Sequence, residues 1–159
     1  MDGTNRVYKL LCAVQHAIDA AAAAVPSRDE TADWECIHAV SSARTGAGLA
    51  AKRGLDEELA AAACALHDFA RVLDGRQDGH AERGYEAVKL FLRDGEGARG
   101  LFTDDEIEQI ALAVRSHSKK AEVGSPLEEV VKDADVLDMH AFGRPLPRDE
   151  QRARLKRLL

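Results

Sequence analysis

The chain has 159 residues and a mass of 17.2 kDa, so we expect a single domain over residues 1–159 that is long enough to bury a core. Its net charge of −6 argues against binding a nucleic-acid duplex by bulk electrostatics and favours a small-molecule substrate. No segment approaches the ~20 apolar residues of a membrane span, and residues 20–25 form too short a run for a secretory signal, so we expect a cytoplasmic protein.

Hydrophobic residues make up 45% of the chain but aromatic residues only 4%, so Ala, Leu, Val and Ile must build the core. This composition favours an all-α fold, a compact bundle of six to seven helices. The first helix is predicted over residues 5–24 and the second over residues 32–53, with Gly54 as its C-terminal stop. Gly46 and Gly48 weaken the helix propensity of the second helix, so we expect both to allow close approach by another helix.

The third predicted helix begins near Asp56 and carries an apolar stretch. Residues 59–66 read LAAAACAL, and a helix that is apolar on every face is normally buried on all sides. The helix ends at the adjacent pair His67 and Asp68, which we therefore expect to be enclosed by protein. A buried carboxylate needs hydrogen bonds or a counter-charge, and a bound divalent cation would satisfy both members of the pair.

A polar loop is predicted over residues 74–79, long enough to overhang a site at the end of the third helix. A fourth helix follows over residues 80–93, and capping boxes that begin at Thr103 and Ser125 predict the fifth and sixth helices. The basic tail over residues 148–159 predicts a short amphipathic helix. We expect this helix to cover the surface without chemistry of its own.

Five stretches of the chain carry histidine and aspartate residues in an ordered series. They are IHAV at His38, LAAAACALHDFAR at His67 and Asp68, HAERGYEAVKLFL from His80, IALAVRSHS at His117, and VVKDADVLD around Asp135. Together they resemble the HD-domain superfamily of metal-dependent phosphohydrolases over roughly residues 34–143. The resemblance implies that one divalent metal is bound by His38, His67, Asp68 and Asp135.

The choice of the late aspartate depends on the resemblance. On a helical wheel Asp138 lies nearest the centre of the apolar stripe, whereas Asp133 and Asp135 lie on opposite flanks. Periodicity therefore favours Asp138, while the family pattern favours the second aspartate of DxD, which is Asp135. We adopt Asp135 and keep Asp133 and Asp138 as alternatives.

His80 and His117 lie in the interval where family members with a second metal carry two further histidines. The resemblance implies that they bind either a second metal, with Asp68 as the bridge, or the substrate phosphate. We favour one metal with both histidines facing the substrate, because His80 begins a helix beside the flexible Gly79. Imidazole and carboxylate ligands suit manganese, iron, cobalt or zinc, so we expect one or two such ions per chain.

The resemblance further implies hydrolysis of a phosphate ester or anhydride in a nucleotide or other small metabolite, with Asp68 orienting or deprotonating the attacking water. Four cations near the proposed ligands are candidates for contacting the phosphate: Arg71, Arg83, Lys119 and Lys120. The His-Asp pair is followed by Phe69-Ala70-Arg71, whereas many family members have a glycine and a lysine in that stretch, which puts the substrate contacts of that turn in doubt. Two alternatives are a di-iron oxygenase of the HD type and an inactive, metal-stabilised nucleotide-binding or regulatory module.

Overall fold

The structure is a computed structural model that describes residues 5–159, and in that range it contains eight α-helices and no strand. They are α1 (Arg6–Ala24), α2 (Ala32–Arg53), α3 (Glu57–Leu66), α4 (Phe69–Asp74), α5 (His80–Asp94), α6 (Asp104–Ser116), α7 (Pro126–Ala141) and α8 (Asp149–Leu158). The all-α class is confirmed, and each helix predicted from the sequence is present. The additional helix is α4, which begins directly after Asp68. None of the described helices is long and apolar enough to cross a bilayer.

Local sequence signals set most of the helix boundaries. The hydroxyl of Thr103 accepts a hydrogen bond from the backbone N–H of Glu106, whose side chain accepts one from the backbone N–H of Thr103 in return. Ser125 and Glu128 form the same capping box at the start of α7. At the end of α2, Gly54 adopts the left-handed conformation with φ of 67°, which glycine takes up without steric cost.

Helix α3 lies at the centre of the bundle. All eight residues from Leu59 to Leu66 are buried, and α3 contacts α1, α2, α6 and α7. The expectation that His67 and Asp68 are enclosed is confirmed, since both are less than a tenth exposed. The bundle therefore holds the C-terminal end of α3 where side chains from other helices can reach it.

One of the two glycines in α2 lies at a close helix contact. A Cβ atom added to Gly46 would lie 2.4 Å from Cys64 Sγ, which is closer than any real contact, whereas a Cβ atom added to Gly48 would meet nothing within 4 Å. The expected close approach is thus confirmed at Gly46 and wrong at Gly48. Gly46 allows α2 and α3 to approach closely, which helps to bring His38 of α2 towards the end of α3.

The two glycines provide a matched pair of substitutions. Gly46→Ala should lower the free energy of unfolding by ~1–3 kcal/mol, because the new methyl group overpacks the contact with Cys64. Gly48→Ala should raise it by up to ~1 kcal/mol, because alanine has the higher helix propensity and the site is open. Urea denaturation of both variants measures the difference, and equal effects would contradict the close contact.

Candidate metal centre

Six side chains from five parts of the chain converge at the end of α3. His38 comes from the first third of α2, the pair His67 and Asp68 from the turn between α3 and α4, and His80 from the first residue of α5. The remaining two are His117, directly after α6, and Asp135 of α7. The four histidines and Asp68 are buried, and Asp135 is partly buried.

The first of two ligand clusters contains the four residues that the resemblance implies. The Nε2 atoms of His38 and His67 lie 3.0 Å apart. Asp135 Oδ1 lies 3.2 Å from His38 Nε2 and 3.5 Å from His67 Nε2. Asp68 Oδ2 lies 3.2 Å from His67 Nε2 and 3.5 Å from His38 Nε2. Two imidazoles and two carboxylates therefore face one point.

The second cluster uses the other oxygen of Asp68. Asp68 Oδ1 lies 2.9 Å from His80 Nε2 and 3.5 Å from His117 Nε2, and these two nitrogens are 3.1 Å apart. The two groups His38, His67, Asp68 and Asp68, His80, His117 each have donor atoms close enough to share one ion. Asp68 belongs to both groups and has one oxygen directed to each.

All four imidazole rings are oriented by a hydrogen bond on the edge that faces away from the clusters. The Nδ1 acceptors are Asp138 Oδ2 for His38 (2.6 Å), Cys64 O for His67 (2.6 Å), Gln77 O for His80 (2.7 Å) and Val114 O for His117 (2.7 Å). Because carbonyl and carboxylate oxygens only accept, each Nδ1 carries a proton, and a ring that is neutral therefore presents the lone pair of Nε2 to the clusters. This is the usual arrangement around metal-bound histidine.

The donor set therefore fits a divalent cation. In the neutral rings the lone pairs of His38 and His67 face each other at 3.0 Å beside two carboxylates, an arrangement that a cation between them would stabilise. The two carboxylates also favour positive charge on His67. Burial alone would lower the pKa of His67, but Asp68 and Asp135 raise it to about 10. Burial instead lowers the pKa of His117 to about 4, so that ring stays neutral at physiological pH.

The geometry separates the three candidate aspartates. Asp135 faces the Nε2 atoms, whereas Asp138 binds the opposite edge of the His38 ring and accepts a further hydrogen bond from the Ser41 hydroxyl. Asp133 is directed away from the centre and forms ion pairs with Arg53 at 2.7 Å and Arg154 at 2.8 Å. Asp138 is buried, as the periodicity indicated, but it lies behind the His38 ring, on the side away from the Nε2 atoms.

Each cluster carboxylate also has a buried cationic partner. Arg71 Nη2 lies 2.6 Å from Asp68 Oδ2, and Lys120 Nζ lies 2.7 Å from Asp135 Oδ2. Burial would raise the pKa of each carboxyl group, but Arg71 and His67 hold the pKa of Asp68 well below its usual value. Lys120 and His67 do the same for Asp135. Both carboxylates therefore stay ionised at physiological pH.

The clusters lie at one wall of a cavity of about 590 Å³. Of the four cations predicted to contact phosphate, Arg71, Lys119 and Lys120 line this cavity, and so does part of the predicted 74–79 loop. Arg83 is not among the lining residues. Its guanidinium instead binds Asp74, with Nε 3.0 Å from Oδ2, and the carbonyl oxygens of Arg76 and Asp78, so it ties the loop together.

The C-terminal tail does more than cover the surface, contrary to the expectation from its sequence. Arg148 and Gln151 line the cavity, and Arg144, just after α7, does so as well. Arg154 is buried and donates to the carbonyl oxygen of Lys120 at 2.7 Å, which fixes the segment that carries Lys119 and Lys120. The high arginine content of the tail was the signal available in the sequence.

The comparison with protein families agrees with this geometry. The HD-domain family model matches residues 36–140, about two thirds of the chain. The chain belongs to the HD-domain family. No curated protein and no solved structure matches it. The matched range of this HD-domain protein begins just before His38 and ends just after Asp138, so it contains both clusters.

Metal uptake by this HD-domain protein should depend on pH. A ligand imidazole must be neutral, so a bound ion displaces the proton that Asp68 and Asp135 favour on His67, whose pKa they raise to about 10. The apparent affinity should rise with pH between 6 and 9, by up to ~10-fold per pH unit for each proton displaced. Calorimetry in buffers of different ionisation enthalpy measures the released protons, and a flat affinity across this range for the ion at the first cluster would contradict its ligation by His67.

Proposed function

We propose that this HD-domain protein is a metal-dependent phosphohydrolase acting on a phosphate ester or anhydride of a nucleotide or other small metabolite. The observation that carries the proposal is the convergence of four histidine Nε2 atoms and two ionised carboxylates beside a cavity that His38, Asp68, His80, His117 and Asp135 line. Family membership supports it, because the resemblance implies metal-dependent phosphohydrolase activity.

The proposal includes two metal ions per chain, in contrast to the single ion that the sequence alone favoured. His38, His67 and Asp135 would hold the first ion, and His80 and His117 the second. Asp68 would bridge them, because its Oδ2 faces the first cluster and its Oδ1 faces the second. His80 begins α5 beside Gly79, but the hydrogen bond from its Nδ1 to Gln77 O holds its ring in place.

Asp68 has the central part in the proposed chemistry. When bound, divalent ions lower the pKa of a coordinated water and stabilise charge on phosphoryl oxygens. Asp68 lies between the clusters and stays ionised, so it can orient the attacking water by accepting a hydrogen bond from it. His117, whose pKa burial lowers to about 4, stays neutral on the facing side of the site.

The charge of the cavity suits an anionic substrate although the whole chain carries −6. Six lysine and arginine side chains line it against five carboxylates, before any metal is counted. Most of these cations are engaged: Arg71 with Asp68, Lys120 with Asp135, Arg144 with Glu30 and Arg148 with Glu150. Lys119 is exposed and forms no ion pair within residues 5–159, so we propose it as the first contact for phosphate.

The remaining lining accommodates a flat or apolar group. Trp34, Met139, Pro145 and Pro147 line the cavity, and a volume of about 590 Å³ lies within the ~300–1,000 Å³ range of small-molecule sites. The Trp34 ring is fixed between the His38 ring, with centroids 4.7 Å apart, and the Arg144 guanidinium. Both faces of Trp34 are thus covered, and it is the volume and the apolar lining that suit a substrate of nucleotide size.

A metal-resolved activity screen tests the proposal. Dialysed protein is assayed with manganese, iron, cobalt or zinc on nucleoside mono-, di- and triphosphates and on phosphomonoesters. We expect release of inorganic phosphate or pyrophosphate with at least one metal. Oxygen consumption by the iron-loaded protein without hydrolysis would favour the oxygenase, and tight nucleotide binding without turnover would favour the binding module. Either result would overturn the proposal.

A further inference from the structure

Arg71 lines the cavity, but its hydrogen-bonding capacity is almost fully used within the protein. Nε donates to Glu35 Oε1 at 2.8 Å, and Nη2 donates to Glu35 Oε2 at 3.2 Å and to Asp68 Oδ2 at 2.6 Å. Nη1 donates to Gln77 Oε1 at 2.5 Å. Four of the five guanidinium N–H groups thus have acceptors in the chain, which leaves one for a ligand.

Glu35 is a buried acid whose carboxylate is stabilised by Arg71. It is 2% exposed and lies on α2 one turn before His38. Within the described residues, the hydrogen bonds of its side-chain carboxylate are the two that it accepts from Arg71. A buried carboxylate with a single cationic partner fixes the plane of that partner, because the two N–H···O bonds are nearly parallel.

We infer that Glu35 and Arg71 form a clamp that positions Asp68, and that Arg71 is a positioning residue and not the phosphate ligand expected from the sequence. The inference rests on the proposed two-metal function. By holding Oδ2, the clamp sets the rotation of the Asp68 carboxylate, so that Oδ1 remains directed towards His80 and His117. If the Asp68 carboxylate could rotate freely, it would no longer present one oxygen to each cluster.

Gln77 extends the clamp to the second cluster. Its side-chain oxygen accepts from Arg71 Nη1, and its backbone oxygen accepts from His80 Nδ1 at 2.7 Å. The same residue therefore links the cation that holds Asp68 to the loop that orients His80. The clamp spans α2, α4 and the 75–79 loop, and it braces both Asp68 and His80.

Titration of the purified protein with Mn²⁺ alone tests the clamp without any substrate. Glu35→Gln keeps the shape of the side chain but removes its charge, and Arg71→Lys keeps the charge but removes the planar fork. We expect each variant to bind Mn²⁺ ~10–100-fold more weakly than the wild type, the range typical of residues that orient metal ligands. Calorimetry gives the affinity and the stoichiometry.

Two further variants make the test decisive. Glu82→Gln removes the same charge from an exposed residue that lines the same cavity, so it should leave the Mn²⁺ affinity close to that of the wild type. Gln77→Ala changes an exposed side chain, so it should fold even if the buried variants do not. We expect it to lower the affinity for the second Mn²⁺ ion more than the affinity for the first.

The outcomes separate this inference from the proposed function. Wild-type protein that binds no Mn²⁺ would overturn both. Wild-type protein that binds two ions, with Glu35→Gln, Arg71→Lys and Gln77→Ala binding them equally well, would overturn only the clamp. Unchanged Mn²⁺ affinity in Arg71→Lys together with weaker binding of inorganic phosphate to the metal-loaded variant would assign Arg71 to the substrate and contradict the inference.

Discussion

Asp68→Asn should reduce turnover by at least ~100-fold and lower the affinity for both metal ions, with the helical fold retained. The substitution removes the negative charge that faces four imidazole nitrogens, the nearest being His80 Nε2 at 2.9 Å from Oδ1. Arg71 keeps Glu35 as its partner, so the variant leaves no buried cation unpaired. Steady-state kinetics, metal analysis and circular dichroism together measure the three parts of this prediction.

Asp78→Asn is the matched control for that substitution. Asp78 is an exposed residue of the loop that lines the same cavity, and its change removes an identical charge. If Asp68→Asn kept more than about a tenth of the wild-type activity, Asp68 would not be the group that orients the water. If Asp78→Asn caused an equal loss, the effect would reflect the charge of the cavity and not the position of Asp68.

The position of the site could be predicted because local sequence patterns specified it. The apolar residues 59–66 require a buried helix, and a buried helix that ends in His67 and Asp68 requires a partner for the carboxylate. The structure places both residues in the core. The distinction between Asp135 and Asp138 was beyond periodicity, because both face inwards and only the location of His38 between them separates their roles.

Long-range pairings account for what the sequence did not predict. Glu35 and Arg71 are 36 residues apart, and no spacing rule connects an acid on α2 with a cation on α4. Arg83 was a reasonable candidate from its distance along the chain, but Asp74 and the loop carbonyls compete for its guanidinium. The tail reaches the cavity only because Arg154 is buried against Asp133 and the Lys120 carbonyl.

His67 of the first cluster and His117 of the second differ in how readily they take up a proton, and this difference bears on metal binding. His67 lies between two carboxylates that raise its pKa to about 10, so the first cluster must release a proton when an ion binds. His117 has a pKa lowered to about 4 by burial, so its Nε2 lone pair is free across the physiological range. His117 should therefore add little pH dependence above ~6 to the binding of the second ion.

Replacing His117 with alanine should reduce the metal content from two ions per chain to one and abolish activity. The imidazole lies 3.1 Å from His80 Nε2 and 3.5 Å from Asp68 Oδ1, so its loss leaves the second ion only two protein ligands, while the first cluster keeps all four. Elemental analysis after gel filtration measures the content, with His16→Ala, an exposed histidine on α1, as the control. A content of one ion in both the wild type and His117→Ala, with weakened phosphate binding in the variant, would instead support a single metal with His117 facing the substrate.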